Sequence, residues 1–187
     1  MDQLPMLSAL QIRAERVLLR KARDGDREGL IELQTEPEVW AHIGGPRLRA
    51  DAEQRLDAIG GPANATTAPG HFIIADKATD SLLGTFELKR RPIDYPGHVT
   101  DDGEELELGY LMLRRAWGAG LAFEAATAAL RAAADELDDQ PVLIATQSAN
   151  ERSLKLAGRL RFRPVATFEW FDVEQSLWLS SLHSFKA

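Results

Sequence analysis

The spacing of apolar and polar residues divides this sequence into a mainly helical first part and a later part that alternates strands with helices. After a lead-in over residues 1–15, the run 17–21 is typical of a strand. Apolar residues then recur at helical spacing in three segments, at about 24–35, 37–43 and 50–59, and Asp24 or Asp26 can cap the first helix. Residues 60–70, rich in Gly, Pro, Asn and Thr, predict a loop.

The later part predicts most of the sheet. Runs at 72–75 and 82–88 predict a hairpin, and residues 91–103 predict a long loop before the strongest strand candidate at 106–113. An alanine-rich helix (118–137), a buried strand (141–146), a helix (150–160) and two closing strands (162–173 and 177–182) follow. This order predicts a single α+β domain over residues 1–187.

Composition narrows the class of protein. With 44% hydrophobic and 27% charged residues, the 187-residue chain is ordinary globular protein, which excludes a disordered or fibrous chain. The lack of cysteine excludes a disulfide framework and a thiolate nucleophile, and the four histidines have no metal-ligand spacing, so we expect no metal site. A net charge of −7 without clustered Lys/Arg argues against nucleic-acid binding. No signal-like start or membrane-length apolar run is visible, so we expect a cytoplasmic protein.

The most informative segment is a strand that enters a glycine-containing turn and then a helix, over residues 111–122. Free N–H groups at a helix start bind anions, and Gly118 and Gly120 leave room for a phosphate, with Arg114 and Arg115 as added cations. An ordinary tight turn with surface arginines explains the same pattern equally well. A dinucleotide fingerprint is incomplete because Phe123 stands at its third glycine, and no P-loop motif is present.

The stretch Arg115-Ala-Trp-Gly118-Ala-Gly120 resembles the Gln/Arg-x-x-Gly-x-Gly/Ala motif of the GNAT (Gcn5-related) N-acetyltransferases. Further stretches, in matching order, are similar to the RimJ/RimL branch of that superfamily: residues 15–20, Glu36–Val39, Gly44-Gly45, Glu107–Tyr110, Trp117–Ala122, Asn150–Ser153 and Leu160–Pro164.

The resemblance implies a mixed, mostly antiparallel central sheet with a splayed strand pair, flanked by helices, that binds acetyl-CoA or another acyl-CoA. Backbone groups of Leu111, Met112 and Leu113 would pair with pantetheine, and Asn150 would bond to it from the next strand–helix junction. Amides of residues 115–120 would hold the pyrophosphate, and the cofactor-binding residues implied around this turn are Arg114, Arg115, Trp117, Gly118, Ala119, Gly120, Leu121 and Ala122.

Two residues are implied as catalytic. Glu107 is the candidate base that deprotonates the acceptor amine through a water; its alternatives are a solvated strand face or mere binding of the acceptor. Ser153 is the candidate acid for the leaving thiolate, because the predicted helix has no tyrosine; its alternatives are a bond to the helix backbone or a contact to pantetheine.

The sequence departs from the family pattern at three places. Phe123 replaces a threonine, and Arg161 replaces a glycine that usually ends the late helix, which implies strain or a different turn there. Arg161 is also a candidate for the 3′-phosphate of CoA. The loop 91–103 matches nothing usable and is a plausible acceptor-site wall, and the acidic run 101–105 is a place to attract a cationic amine.

The function predicted is an acyl-CoA-dependent N-acyltransferase that moves acetyl directly to a primary amine, either a protein N-terminus or a small molecule. A non-catalytic acyl-CoA-binding module, a succinyl-CoA-using relative and a dinucleotide oxidoreductase are the alternatives. Because relatives are often dimers, a homodimer is a possible assembly; we expect neither nucleic acid nor membrane as a partner.

Overall fold

The computed structural model describes residues 4–187, and within them the chain forms eight strands and five α-helices. The strands are β1 (Gln11–Arg13), β2 (Val17–Arg20), β3 (His71–Asp76), β4 (Leu82–Arg90), β5 (Leu106–Met112), β6 (Pro141–Gln147), β7 (Arg163–Trp170) and β8 (Val173–Ser181). The helices are α1 (Arg27–Thr35), α2 (Pro37–Trp40), α3 (Arg49–Ala58), α4 (Leu121–Glu136) and α5 (Glu151–Arg159). Of the predicted lead-in, residues 1–3 lie outside the described part, and β1 is a strand that the sequence did not predict.

All strands belong to one sheet in the order β1-β2-β3-β4-β5-β6-β8-β7. Every neighbouring pair is antiparallel except β5 and β6, which run parallel. The β5–β6 register contains only Leu106 with Val142 and Glu107 with Leu143, so the strands part from Leu108 onwards. The predicted α+β class and its splayed, mostly antiparallel sheet are therefore confirmed.

Helices cover both faces of the sheet, and each face has its own apolar core. On one face, α4 buries a row of small side chains, including Ala125, Ala129 and Ala133, which lets the helix approach the strands closely. On the other face, Leu30, Leu33 and Leu56 of α1 and α3 pack with residues of β3, β4 and the end of β5. The splay therefore lies between two helical layers.

Asp26 is the N-cap residue of α1, but its side chain makes no cap bond. The buried carboxylate instead accepts two hydrogen bonds from the guanidinium of Arg20, at 2.8 and 3.0 Å, and one from the N–H of Arg23 at 2.8 Å. This ion pair joins the start of α1 to Arg20 of β2, six residues earlier, and helical spacing does not reveal it, so the sequence suggested only the capping role.

The closing hairpin differs from its prediction in where it turns. The two predicted strands broke at 173–177, whereas the turn is Phe171-Asp172, and both residues have positive φ, 50° and 59°. Such turns usually contain Asn or Gly, so an aromatic residue at this point gave a strand-like pattern.

Candidate active site

A cleft of about 1740 Å³ opens where β5 and β6 part. It reaches both faces of the sheet, because its lining includes Arg55 of α3 on one side and Arg159 of α5 on the other. Of the residues predicted for the site, those that line this cleft are Glu107, Leu111, Met112, Trp117, Gly118, Gly120, Leu121, Ala122, Asn150 and Ser153; Leu113, Arg114, Arg115 and Ala119 do not.

The turn before α4 presents open backbone N–H groups to the cleft. Gly118 and Gly120 have φ of 81° and 76°, a backbone region that favours glycine, and Gly120 is the N-cap of α4. The first bond of the helix runs from Glu124 N–H to the Gly120 carbonyl at 3.1 Å, so the amides of residues 121–123 have no helical partner. Backbone conformation is thus the direct reason for glycine here, since a Cβ at Gly118 would meet no atom within 4 Å.

Arg16 holds this turn from behind. Its Nε donates to Glu124 Oε2 at 2.8 Å, and its Nη1 donates to the Ala119 carbonyl at 2.9 Å. The same Glu124 accepts the backbone N–H of Arg16, which ties the start of α4 to the approach of β2. The turn is therefore braced before any anion binds.

Along β5, the backbone N–H and C=O groups of every second residue point towards the gap left by β6. Leu113 N–H bonds to the Leu83 carbonyl at 2.8 Å, and backbone groups alternate in direction along a strand, so Leu111 and Leu113 face β4. Leu108, Tyr110 and Met112 therefore face the splay. The Met112 carbonyl already accepts the Trp117 indole N–H at 2.8 Å. The pairing of pantetheine with backbone groups of Leu111 and Leu113 stays a prediction, but these groups point to β4 and the Leu113 N–H is occupied.

Two hydroxyl groups meet inside the cleft. Asn150 caps α5, accepting the Ser153 N–H at 3.3 Å, and the Ser153 hydroxyl lies 3.2 Å from the hydroxyl of Tyr110. Burial raises the pKa of Tyr110, so the phenol keeps its proton at neutral pH. Tyr110 was not singled out from the sequence, although its position on the strongest strand, facing away from β4, was a usable signal.

Glu107 lies at the start of the splay and is held by a buried arginine. Its Oε1 accepts a hydrogen bond from Arg91 Nη1 at 2.8 Å, and the Arg91 side chain is only 1% exposed. Its Oε2 is buried and has no hydrogen-bond partner within residues 4–187. The alternative of a solvated strand face is therefore wrong, and one carboxylate oxygen is left without a partner among the described residues.

Residues 16–163 match the family model described as an acetyltransferase (GNAT) domain. The chain belongs to the GNAT acetyltransferase family. Among solved structures, it is similar to a GNAT-family acetyltransferase from Bacillus anthracis, with a TM-score of 0.73 and 20% identity over 92% of this chain and 98% of that chain.

Two further GNAT relatives have the same fold. A GCN5-related N-acetyltransferase from Brucella melitensis gives a TM-score of 0.74 at 17% identity, over 95% of this chain and 81% of that one. RimL, described as a ribosomal L7/L12 alpha-N-protein acetyltransferase in complex with coenzyme A, gives a TM-score of 0.68 at 12% identity, over 93% and 99%. These likenesses show the fold, and the match to the family model makes the chain an acetyltransferase.

The cationic groups of this GNAT cleft differ from those we expected. Arg114 pairs with Glu38 at 2.7 Å and Arg115 pairs with Glu32, both towards α1 and α2. The cations that line the cleft beside the glycine turn are on one face of α5: Arg152, Lys155 and Arg159. Their spacing of three and four residues was the sequence signal for a shared helix face.

Those α5 cations lie against aromatic rings at the turn. The Arg152 guanidinium is 3.7 Å from the centre of a Trp117 ring, and that of Arg159 is 4.4 Å from the centre of Phe123. Phe123 stands where the family has a threonine, and its ring packs against the Arg159 guanidinium next to the glycine turn.

The loop 91–105 does not line the cleft, and neither does its acidic run. Asp101 and Asp102 are exposed, whereas Glu105 is buried and accepts the N–H groups of Val99 and Thr100 and a bond from His98. The loop supports the cleft indirectly, because Tyr95 packs 4.6 Å from Trp170, which does line it.

Arg161 is also outside the cleft. It ends α5 with φ of 64° and lines a separate hollow of about 500 Å³. Of the two alternatives for this position, the strained backbone is therefore correct. The suggested contact of Arg161 with the 3′-phosphate of CoA is not supported.

No helix within residues 4–187 is both long and apolar enough to cross a membrane.

Proposed function

We propose that this GNAT chain transfers the acetyl group of acetyl-CoA directly to a primary amine, using one domain over residues 1–187. The observation that supports this most is the cleft through the sheet, which has open amides at the glycine turn and an unpartnered carboxylate oxygen of Glu107 near the start of the splay.

The residues at the turn fit the anionic end of a CoA molecule. Amides of residues 118–122 would hold the pyrophosphate, and Arg152, Lys155 and Arg159 would supply the positive charge that a net charge of −7 otherwise lacks. Leu108, Tyr110 and Asn150 are the groups placed to bond the pantetheine arm. The bound acyl-CoA supplies the thioester, and the RimL relative is described with coenzyme A bound.

Glu107 is proposed as the base. An amine with a pKa near 10 is mostly protonated at neutral pH and must lose a proton before it can attack a carbonyl carbon. Arg91 fixes Oε1 of Glu107, which leaves Oε2 to accept that proton, directly or through a water. With no cysteine in the chain, a direct attack by the amine is simpler than a thioester on the enzyme.

Ser153 is proposed to protonate the leaving sulfur, with Tyr110 behind it. The 3.2 Å contact between their hydroxyl groups lets the phenol replace the proton that the serine gives up. The RimL relative is described as an alpha-N-protein acetyltransferase, so a protein N-terminus and a small amine are both acceptors to test.

A thiol-release screen tests the proposal. Acetyl-CoA and succinyl-CoA are each mixed with peptides that begin with Ala or Ser, with amino acids and with spermidine, and free CoA is measured. We expect release with acetyl-CoA and at least one amine. Binding of acetyl-CoA without release under every condition would instead favour a non-catalytic acyl-CoA-binding module.

Variants in the same assay test the roles. Glu107→Gln should lower kcat about 100-fold or more with little change in acetyl-CoA affinity. Ser153→Ala should lower kcat but leave KM for the amine unchanged. Glu174→Gln, an exposed carboxylate on β8 outside the cleft, is the control. A wild-type kcat in Glu107→Gln would contradict the role of Glu107 as the base. A wild-type kcat in Ser153→Ala would contradict the role of Ser153 as the acid.

A further inference from the structure

A second carboxylate, that of Glu87, lies across the central strand beside the splay. Glu87 is on β4 directly opposite Gly109 of β5, and both residues line the cleft. A Cβ at Gly109 would come within 2.9 Å of Glu87 Oε1 and 3.1 Å of its Cγ. The Glu87 side chain therefore uses the space that the missing Gly109 side chain leaves, next to the point where β5 has separated from β6.

One oxygen of this carboxylate is anchored, and the other accepts no hydrogen bond from any residue in the range 4–187. Oε1 accepts the Lys89 ammonium at 2.6 Å. Oε2 lies 3.9 Å from His71 Nδ1, which is too long for a hydrogen bond. Burial lowers the pKa of His71, more than the nearby Glu87 raises it, so the ring is neutral at neutral pH. His71 also lines the cleft, so Oε2 lies at a position that a ligand can reach.

The charges around the two carboxylates are balanced in pairs. Lys89 accompanies Glu87 and Arg91 accompanies Glu107, and Lys89 stands opposite Glu107 across the strand pair. Two uncompensated carboxylates would hold an ammonium ion tightly and oppose its deprotonation. With each carboxylate matched by a cation, this strand face accepts N–H groups without trapping the amine in its charged form.

We propose that Glu87 Oε2 binds the acceptor amine and holds its nitrogen beside the splay while Glu107 takes the proton. In this step an N–H bond of the ammonium breaks and an O–H bond forms on Glu107, directly or through a water. The neutral amine keeps a second N–H bonded to Glu87. The assignment rests on the proposed N-acyltransferase function and names its acceptor-binding residue, with a primary amine as the ligand.

The test separates the two KM values. With acetyl-CoA and either spermidine or an Ala-starting peptide, Glu87→Gln should raise KM for the amine about tenfold or more, because a hydrogen bond to a charged group is lost. KM for acetyl-CoA should stay within about twofold. Gly109→Ala keeps the carboxylate but forces it aside, and should raise KM for the amine in the same direction.

Glu174→Gln is the matched control and should change neither KM. Thermal unfolding shows whether each variant is folded, and Gly109→Ala gives an independent reading if Glu87→Gln does not fold. An unchanged KM for the amine in both folded variants, or an equal rise in both KM values, would overturn the assignment while the wild-type turnover still supports the proposed function. Absence of turnover by the wild-type protein with every amine would overturn both.

Discussion

At the scale of single residues, Arg161 shows how local strain can be read from a departure in the sequence. Its φ of 64° places a residue that has a Cβ in the left-handed region, where the Cβ approaches the following carbonyl. Two hydrogen bonds after the end of α5 fix this conformation. The Arg161 N–H donates to the Gly158 carbonyl and the Phe162 N–H donates to the Ala157 carbonyl, both at 3.0 Å. The arginine side chain has no ion pair among the described residues that would offset the cost.

Arg161→Gly should therefore stabilise the protein by about 1 kcal/mol, the relieved strain less the added freedom of the unfolded chain. Urea unfolding at constant pH measures the change. Arg161→Ala is the matched control: it removes the charge but keeps the Cβ, so it should give no gain. Equal stabilisation by both variants would point to the charge rather than to the backbone.

Residue roles were predictable from sequence only where a local motif fixes them. Gly118 and Gly120 were predicted from a local turn pattern and Asn150 from the family resemblance, and all three line the cleft. The Arg91–Glu107 pair and the contact of Glu87 with Gly109 depend on strand register. Register is set by packing and loop geometry across the sheet, so spacing along the chain does not reveal these contacts.

At the scale of elements, the glycine turn before α4 is held in place by contacts with a residue that is distant in sequence. Arg16 precedes β2, yet it bonds Ala119 before α4 and Glu124 in the first turn of that helix. A turn held in its binding geometry loses less conformational entropy when a ligand binds. The brace should therefore appear as affinity for CoA.

Arg16→Ala should weaken acetyl-CoA binding roughly fivefold, a loss of about 1 kcal/mol of preorganisation. Isothermal titration with acetyl-CoA measures it, and KM for the amine should not move. Arg13→Ala, an exposed arginine on β1, is the control. Equal affinity of the wild-type protein and Arg16→Ala would show that the turn needs no brace.

Element order was largely predictable because helical and strand periods differ clearly in this chain. The boundaries that failed lie where tertiary contacts decide. α2 ends at Trp40, whose indole N–H donates to the Leu33 carbonyl at 2.7 Å, before the predicted end at residue 43. The three-residue β1 is too short for periodicity and exists because β2 pairs with it.

At the scale of the whole molecule, the loop 91–105 ties β4 to β5 and packs against β7. Burial opposes ionisation of Glu105, but bonds from His98 and from the N–H groups of Thr100 and Val99 outweigh it and lower its pKa to about 2. The unfolded value is about 4.3, so this carboxylate stabilises the fold fully above that pH. The contribution disappears as pH falls from about 4.3 towards about 2.

Glu105→Gln should flatten the loss of unfolding free energy across that acid window, and it should also lower stability at neutral pH. Urea unfolding at pH values from about 6 down to about 2 measures both. Glu104→Gln, the exposed neighbour, should follow the wild-type curve. A wild-type slope in Glu105→Gln would show that other carboxylates dominate the acid response.

The parting of β5 from β6 has a consequence for traffic through the protein. The lining of the cleft includes Arg55 of α3 on one side of the sheet and Arg159 of α5 on the other. Under the proposed function, acyl-CoA and the amine would bind on opposite sides of the sheet and meet in the gap between β5 and β6. The sheet would separate the two substrates everywhere except at this gap, so each product could leave from its own side of the sheet.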